Sequence, residues 1–294
     1  MTDRERIITR RDFLRGAATA ALTAAVGLPV AADPAAEKKA RVVLMRDEGV
    51  LDAEGKINPS VLARMLDQAV AKALGKSKAA DAWKSLVKPS DIVGIKTNHW
   101  NRLPTPPEIE KIIAERVASA GVSSDNVFCD DRGSKDRFAA STALINVRPA
   151  RTHHWSGIGG CIKNYIILHP KPSELHPESC AALGSVWHLP VVKGKTRLNI
   201  LVLLTPQFYG RGPQNFDPAN LWAYKGLAVS TDPVALDAVG AHLLRAKRIA
   251  FYGEDKPITP TSHVVVADEK YGLGVSDLNK IELIRLGWKT DVLI

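Results

Sequence analysis

Apolar residues fall into two alternating rhythms over the first half of the chain. Arg41 to Met45 is a short, nearly continuous apolar run, which predicts a buried strand. After Asn58-Pro59, the residues Val61, Met65, Leu66, Ala69, Val70, Ala73 and Leu74 recur on one helical face. Asn58 is suited to cap that helix and Pro59 to its first position, so the helix is placed from Pro59 to Leu74. Lys76 to Lys88 reads as a second, more polar helix or linker anchored by Trp83 and Leu86. A strand follows at Asp91–Lys96, then a helix from Pro106 to Ala120 closed by Gly121, then a strand at Asn126–Asp130.

The rhythm weakens between Ser134 and Lys195, where a Gly-rich turn at Gly157-Ile-Gly-Gly160 and prolines at 170, 172, 177 and 190 predict loops and short elements over the sheet. It resumes with a strand at Leu198–Leu204, a loop from Pro206 to Trp222 and a strand at Gly226–Ser230. A helix opens at Asp232-Pro233 and runs to about Lys247, and strands are placed at His263–Ala267 and Ile281–Ile284. Strands and helices in this alternation need crossover connections. The predicted class is α/β, with a mainly parallel or mixed sheet, helices on both faces and Rossmann-like layering. In such sheets ligands collect beyond the carboxyl ends of the strands.

The N-terminus has a different logic. Thr9-Arg10-Arg11-Asp12-Phe13-Leu14-Arg15 is a twin-arginine pair, followed by an Ala-rich stretch from Gly16 to Val30 and small residues up to Ala32. This order is that of a Tat export signal cleaved after Ala32, with the Tat translocase as partner during export and a periplasmic or otherwise extracytoplasmic destination. The expected organisation is residues 1–32 as signal and 33–294 as one α/β domain. Removal of the signal takes five arginines and three acids from a chain of formal charge +9, leaving 262 residues at about +7. That excess is spread along the chain, which argues against nucleic-acid binding and leaves an anionic small molecule as the expected partner. No apolar run approaches the ~20 residues of a membrane span. Cys129, Cys161 and Cys180 allow at most one internal disulfide. No C-x-x-C or C-x-x-C-H signals an iron–sulfur cluster or a covalent haem, so the cofactor is left unassigned.

Candidate chemistry gathers where apolar strands give way to polar residues. Lys96, Asn98 and His99 follow one such strand, and Asp130, Asp131 and Arg132 end the next. Two residues apart on an extended backbone, Lys96 and Asn98 would offer an ammonium and an amide to one carboxylate or phosphate. Lys163-Asn164 repeats the pair after Gly159 and Gly160, whose lack of side chains lets backbone N–H groups approach an anion. The turn is neither a P-loop nor a dinucleotide fingerprint. Asp232 is suited to cap the helix begun by Pro233, or to bind ligand. Asp237 lies in the same helix among apolar residues and needs a partner, for which Lys96 and Lys163 are the candidates. Lys96, Lys163, Asp131 and Asp237 are therefore the candidate catalytic groups, with Asn98, His99, Asp130, Arg132, Gly159, Gly160, Asn164 and Asp232 around the ligand. Five of the eight histidines lie between 153 and 188, which makes His153, His154 and Cys161 candidate metal ligands, although no established zinc spacing is present. The alternative is that His153 and His154 end a strand on opposite faces. Asp130-Asp131 suits either a Mg²⁺ ion or the orientation of a lysine. No G-x-S-x-G elbow supports a serine hydrolase.

Several of these groups occur in a recognisable order. Lys96-Thr97-Asn98, Thr105-Pro106, Ile162-Lys163-Asn164, Gly210-Arg-Gly-Pro213, Asp232-Pro-Val-Ala-Leu-Asp237 and Gly272-Leu-Gly274 follow one another as in the DUF362 family. Over roughly residues 41–286 the chain resembles a Tat-exported member of that family. Some members carry ferredoxin-like cluster domains, so the resemblance implies chemistry linked to redox, although the family's reaction is unknown. Similar proteins place an acid near position 202, where this chain has Val202. Two functions are expected: an exported enzyme acting on an anionic substrate or cofactor, or a non-catalytic binding, maturation or metal-holding protein.

Overall fold

The computed structural model describes residues 39–211 and 216–294. Eight strands form one sheet: β1 (Ala40–Arg46), β2 (Val93–Lys96), β3 (Val127–Asp130), β4 (Ala143–His153), β5 (Gly157–Gly159), β6 (Thr196–Gln207), β7 (Gly226–Ser230) and β8 (Ile281–Gly287). Their order is β3-β2-β4-β6-β7-β1-β8, with β5 paired to β4 alone. Pairing is parallel from β3 through β2 and β4 to β6, and again between β1 and β8. It is antiparallel on both sides of β7 and in the β4–β5 hairpin. The sheet is thus mixed and mostly parallel, and the fold is α/β.

Side-chain alternation along each strand divides the core into two layers. Val43 and Met45 of β1, Ile95 of β2, Ile145 and Val147 of β4, and Ile200 and Val202 of β6 face one side. There they meet α1 (Pro59–Ala73), α2 (Ala79–Leu86) and α3 (Pro107–Ser119). The Asn58 side chain caps α1 by accepting the N–H groups of Ser60 and Val61. Val42, Leu44, Leu144, Leu201 and Leu203 face the other side, against α6 (Pro233–Tyr252) and α7 (Ser262–Glu269). Two shorter helices, α4 (Lys135–Ala140) and α5 (Cys161–Asn164), complete the labelled set. Val202 sits in the α1–α3 layer, so its place is in an apolar core.

Three expectations are corrected. The region expected to hold only loops and short elements contains β4, an eleven-residue strand, buried throughout, between β2 and β6. Asn146, Arg148, Pro149 and Arg151 break its apolar pattern. Pro149 is tolerated in this interior strand because the β4–β6 register shifts between Pro149 and Arg151. The segment His263–Ala267 is helical, as part of α7. Its five apolar-rich residues are too few for periodicity to distinguish strand from helix. His153 and His154 do not occupy opposite faces, because β4 ends at His153 and the two rings stack with centroids 4.9 Å apart. The segment expected to be a Tat signal, residues 1–32, lies outside the described residues.

Candidate functional site

A row of polar side chains crosses the sheet at the level where β2 ends. Lys96 is in register with Asp130 on one side and Asn146 on the other, Asn146 with Asn199, and Asn199 with Ser230. Asn164 of α5 closes down on this row. Its Nδ2 donates to Asn146 Oδ1 at 2.8 Å and to the carbonyls of Lys96 and Val147 at 3.1 Å. Asn146 in turn donates to Asn199 Oδ1 and the Cys161 carbonyl. The two lysine–asparagine pairs thus meet at the carboxyl edge of the parallel strands, joined by an amide network.

Above the row opens a cavity of about 280 Å³, lined by Asn98, Arg148, Arg151, Lys163 and Asn164, with Trp100 and Trp155 among its walls. Residues 146 and 148 share a face of β4, and the register shift after Pro149 brings Arg151 to the same cavity as Arg148. The Arg151 guanidinium donates to Asn98 Oδ1 at 2.9 Å and lies 4.3 Å from the centre of the Trp100 ring. Arg148 is only 4% exposed, and its Nε has no hydrogen-bond acceptor. Lys163, 3% exposed, donates to Cys180 Sγ at 3.4 Å. Among the described residues no carboxylate lies within ion-pair distance of it.

Among the described residues two acids are buried in this neighbourhood, and both are committed. Asp131 pairs with Lys96 Nζ at 2.8 Å and Arg132 Nε at 3.2 Å, and accepts the His99 N–H at 3.0 Å. Burial alone would raise its pKa, but the Lys96 ammonium and these donors hold it down at about 2. Burial lowers Lys96 to about 8 against the pull of Asp131, so the pair is ionised at neutral pH. Asp237 receives the N–H groups of Cys161 and Ile162 at 2.6 and 2.8 Å, at the start of α5. Burial pushes its carboxyl up to about 7 despite these two donors and the nearby Arg148. Burial and the neighbouring cations also keep the histidines uncharged: His176 falls to about 4, and His153 lies further below its ordinary value. The cavity is therefore left with an excess of positive charge.

Sequence-predicted residues divide between the cavity and its scaffold. Asn98, Asp131, Arg132, Lys163 and Asn164 line the cavity, as does His153. Lys96 is fully buried and turned to Asp131 and the Thr97 carbonyl, so its ammonium does not face a ligand alongside Asn98. His99 points to Thr97 and Glu110, and Asp130 accepts the N–H groups of Arg132 and Gly133 in its own turn. Gly159 is in β5, where a Cβ would press on Arg148 and Arg151. The anion that meets the backbone after Gly160 is Asp237, whose carboxylate would be struck by a Cβ at position 160. Asp237 accordingly bonds to backbone and to neither lysine. Asp232 caps α6 by accepting from Val234 and Ala235, and it also accepts the Val275 N–H. His153, His154 and Cys161 do not converge: Cys161 Sγ donates to the Ile200 carbonyl, and no metal-holding group of three or more such side chains occurs among the described residues. All three cysteines are free thiols. Gly212 and Pro213 of the Gly210-Arg-Gly-Pro213 segment lie outside the described residues.

Arg148, Arg151, Trp100 and His176 were not among the expected site residues. The signal for the arginines was their position, Arg148 within the apolar stretch Ala143–Ala150 and Arg151 directly after it, which the weak local rhythm concealed. Residues 122–242 match the DUF362 family model, a domain of unknown function. The DUF362 match thus contains Asp131, both cavity arginines, α5 and Asp237, while Asn98 and Trp100 precede it. No curated protein and no solved structure matches the chain.

Proposed function

We propose that the protein is exported by the twin-arginine route and holds a small anionic molecule, a carboxylate or a phosphate ester, in the arginine-lined cavity. The observation that carries the binding reading is Arg148: a buried guanidinium whose Nε has no acceptor, facing a cavity shared with Arg151 and Lys163. A buried cation without a counter-ion is costly, and an anionic ligand would offset that cost with charge-assisted hydrogen bonds. Trp100 and Trp155 provide apolar walls, so the favoured ligand joins an anionic head to a flat or apolar body. The cavity is near the lower end of the roughly 300–1,000 Å³ range of ligand pockets, which favours a small metabolite.

Calorimetric titration of the full chain with succinate, benzoate and phosphate, each against its neutral amide or alcohol counterpart, tests the binding reading. At least one anion is expected to bind, to weaken as salt is raised, and to change tryptophan fluorescence. Equal affinity for the neutral counterparts would overturn it. Export rests on Arg10-Arg11, and replacing both by lysine should retain the protein in the cytoplasm. Extracytoplasmic recovery of that variant at wild-type level would overturn the route.

A further inference from the structure

We propose that the ligand is a 2-oxo acid or a related carbonyl-bearing carboxylate, and that Lys163 captures its carbonyl carbon as an imine. This deepens the anion-binding reading and rests on it. Lys163 differs from Lys96, the other buried lysine at the site. Lys96 is locked against Asp131 at 2.8 Å, whereas Lys163 faces the cavity with the Cys180 thiol as its contact and no carboxylate to hold the ammonium charged. Arg148 and Arg151 line the same cavity and provide the fork that receives a carboxylate. A carboxylate held there would place an adjacent carbonyl toward the amine.

The electrostatics favour the free amine. Burial, with Arg148 and Arg151 adding to it against the pull of Cys180, brings the Lys163 amine down to about 8, so a useful fraction is unprotonated near neutral pH. In the step itself the amine lone pair forms a C–N bond to the carbonyl carbon, and the carbonyl oxygen takes a proton. The nitrogen then gives up its protons as the C–O bond breaks and water leaves, so amine and carbonyl become imine and water with no change of oxidation state. The two protons lost from the nitrogen are those that the departing oxygen carries off as water.

The test uses the full-length wild-type protein with pyruvate and sodium cyanoborohydride at pH 7, followed by intact mass measurement and peptide mapping. The expected result is one secondary amine on Lys163, seen as a mass gain of one pyruvic acid less one oxygen atom. Propionate, which shares the carboxylate but has no carbonyl, should suppress the labelling. Lys163→Arg should abolish it, and Lys111→Met, at an exposed lysine of α3, should leave Lys163 labelled. If calorimetry shows pyruvate and propionate binding but Lys163 stays unmodified, the imine proposal falls and anion binding stands. If no anion of the calorimetric panel, pyruvate or propionate binds, both fall. Labelling spread over exposed lysines, or undiminished in Lys163→Arg, would likewise overturn the assignment, and the mapping on wild-type protein needs no variant to fold.

Discussion

Asp237 Oδ1 receives the backbone N–H of Cys161 at 2.6 Å, while Oδ2 of the same carboxyl receives that of Ile162 at 2.8 Å. A side chain from α6 thus occupies the anion-receptive start of α5, where a ligand phosphate or carboxylate would otherwise be sought. This contact fixes the helical turn that presents Lys163 to the cavity and Asn164 to the amide network. Asp237 acts on the site through position, without touching the space where a ligand would sit.

Replacing Asp237 by Asn should destabilise the protein by about 1–3 kcal/mol, because the new amide can satisfy only one of the two N–H groups. The pH dependence gives this prediction its signature. In the folded protein the carboxyl titrates at about 7, whereas an unfolded aspartate titrates at roughly 3.9. Between these values the folded state keeps a proton that the unfolded chain releases. The associated stability is full below about pH 4 and is lost as pH rises to 7. Denaturant melts should therefore show the stability gap between wild type and Asp237→Asn narrowing from pH 5 to pH 8; a gap that widens would contradict the assignment.

Two adjacent glycines should respond differently to alanine. At Gly160 a Cβ would lie 2.3 Å from Asp237 Oδ1 and 2.4 Å from its Cγ, both held in place by the α5 amides. At Gly159 the nearest atoms, 3.3 Å away, belong to the longer side chains of Arg148 and Arg151. Gly160→Ala should cost at least about 1–3 kcal/mol, while Gly159→Ala should cost less. Thermal melts of the two variants, with circular dichroism as the check on folding, compare them directly.

The sequence made the outer parts of this fold readable because their roles are simple. The Asn58-Pro59 start and the apolar stripe of α1 each have one function, to begin a helix and to cover a sheet. β4 was obscured because it has two: Ile145 and Val147 face the core, while Asn146 and Arg148 face the site. Pro149 further masks a strand that a local register shift accommodates. Lys163 and Asn164 stood out as a polar doublet after glycines, but the contact between Gly160 and Asp237 spans 77 positions of chain and could be seen only in three dimensions.

The Lys96–Asp131 pair should behave as a structural unit. Removing the acid with Asp131→Asn leaves a fully buried ammonium without its counter-ion, an expected loss of about 3–5 kcal/mol at pH 7. Because Asp131 is held at about 2, its contribution is present above roughly pH 4 and is lost as pH falls toward 2. The deficit of the variant should shrink over that acid range. Combining Lys96→Met with Asp131→Asn should recover part of the stability, since neither member of the pair is then left charged without the other. Urea denaturation of the single and double variants measures this, and a strictly additive double variant would show that the two residues are uncoupled.

Arg148 should show the opposite balance of stability and binding. Its side chain carries a desolvation cost, and its Nε has no acceptor; the fields of Asp131 and Asp237 favour its charge without an ion pair in contact. Methionine fills a similar length without a charge to bury, so Arg148→Met should melt at the wild-type temperature or above it in the absence of ligand. The same variant should bind the best anion at least about tenfold more weakly, the loss expected for one charge-assisted hydrogen bond of roughly 1.5–3 kcal/mol. Arg148→Lys should rescue affinity only in part, because an ammonium supplies charge without the planar fork. Differential scanning calorimetry and ligand titration on the same samples separate the two effects. A variant that melts several degrees lower and keeps its affinity would make Arg148 a structural cation, held for Asp131 and Asp237 instead of for a ligand.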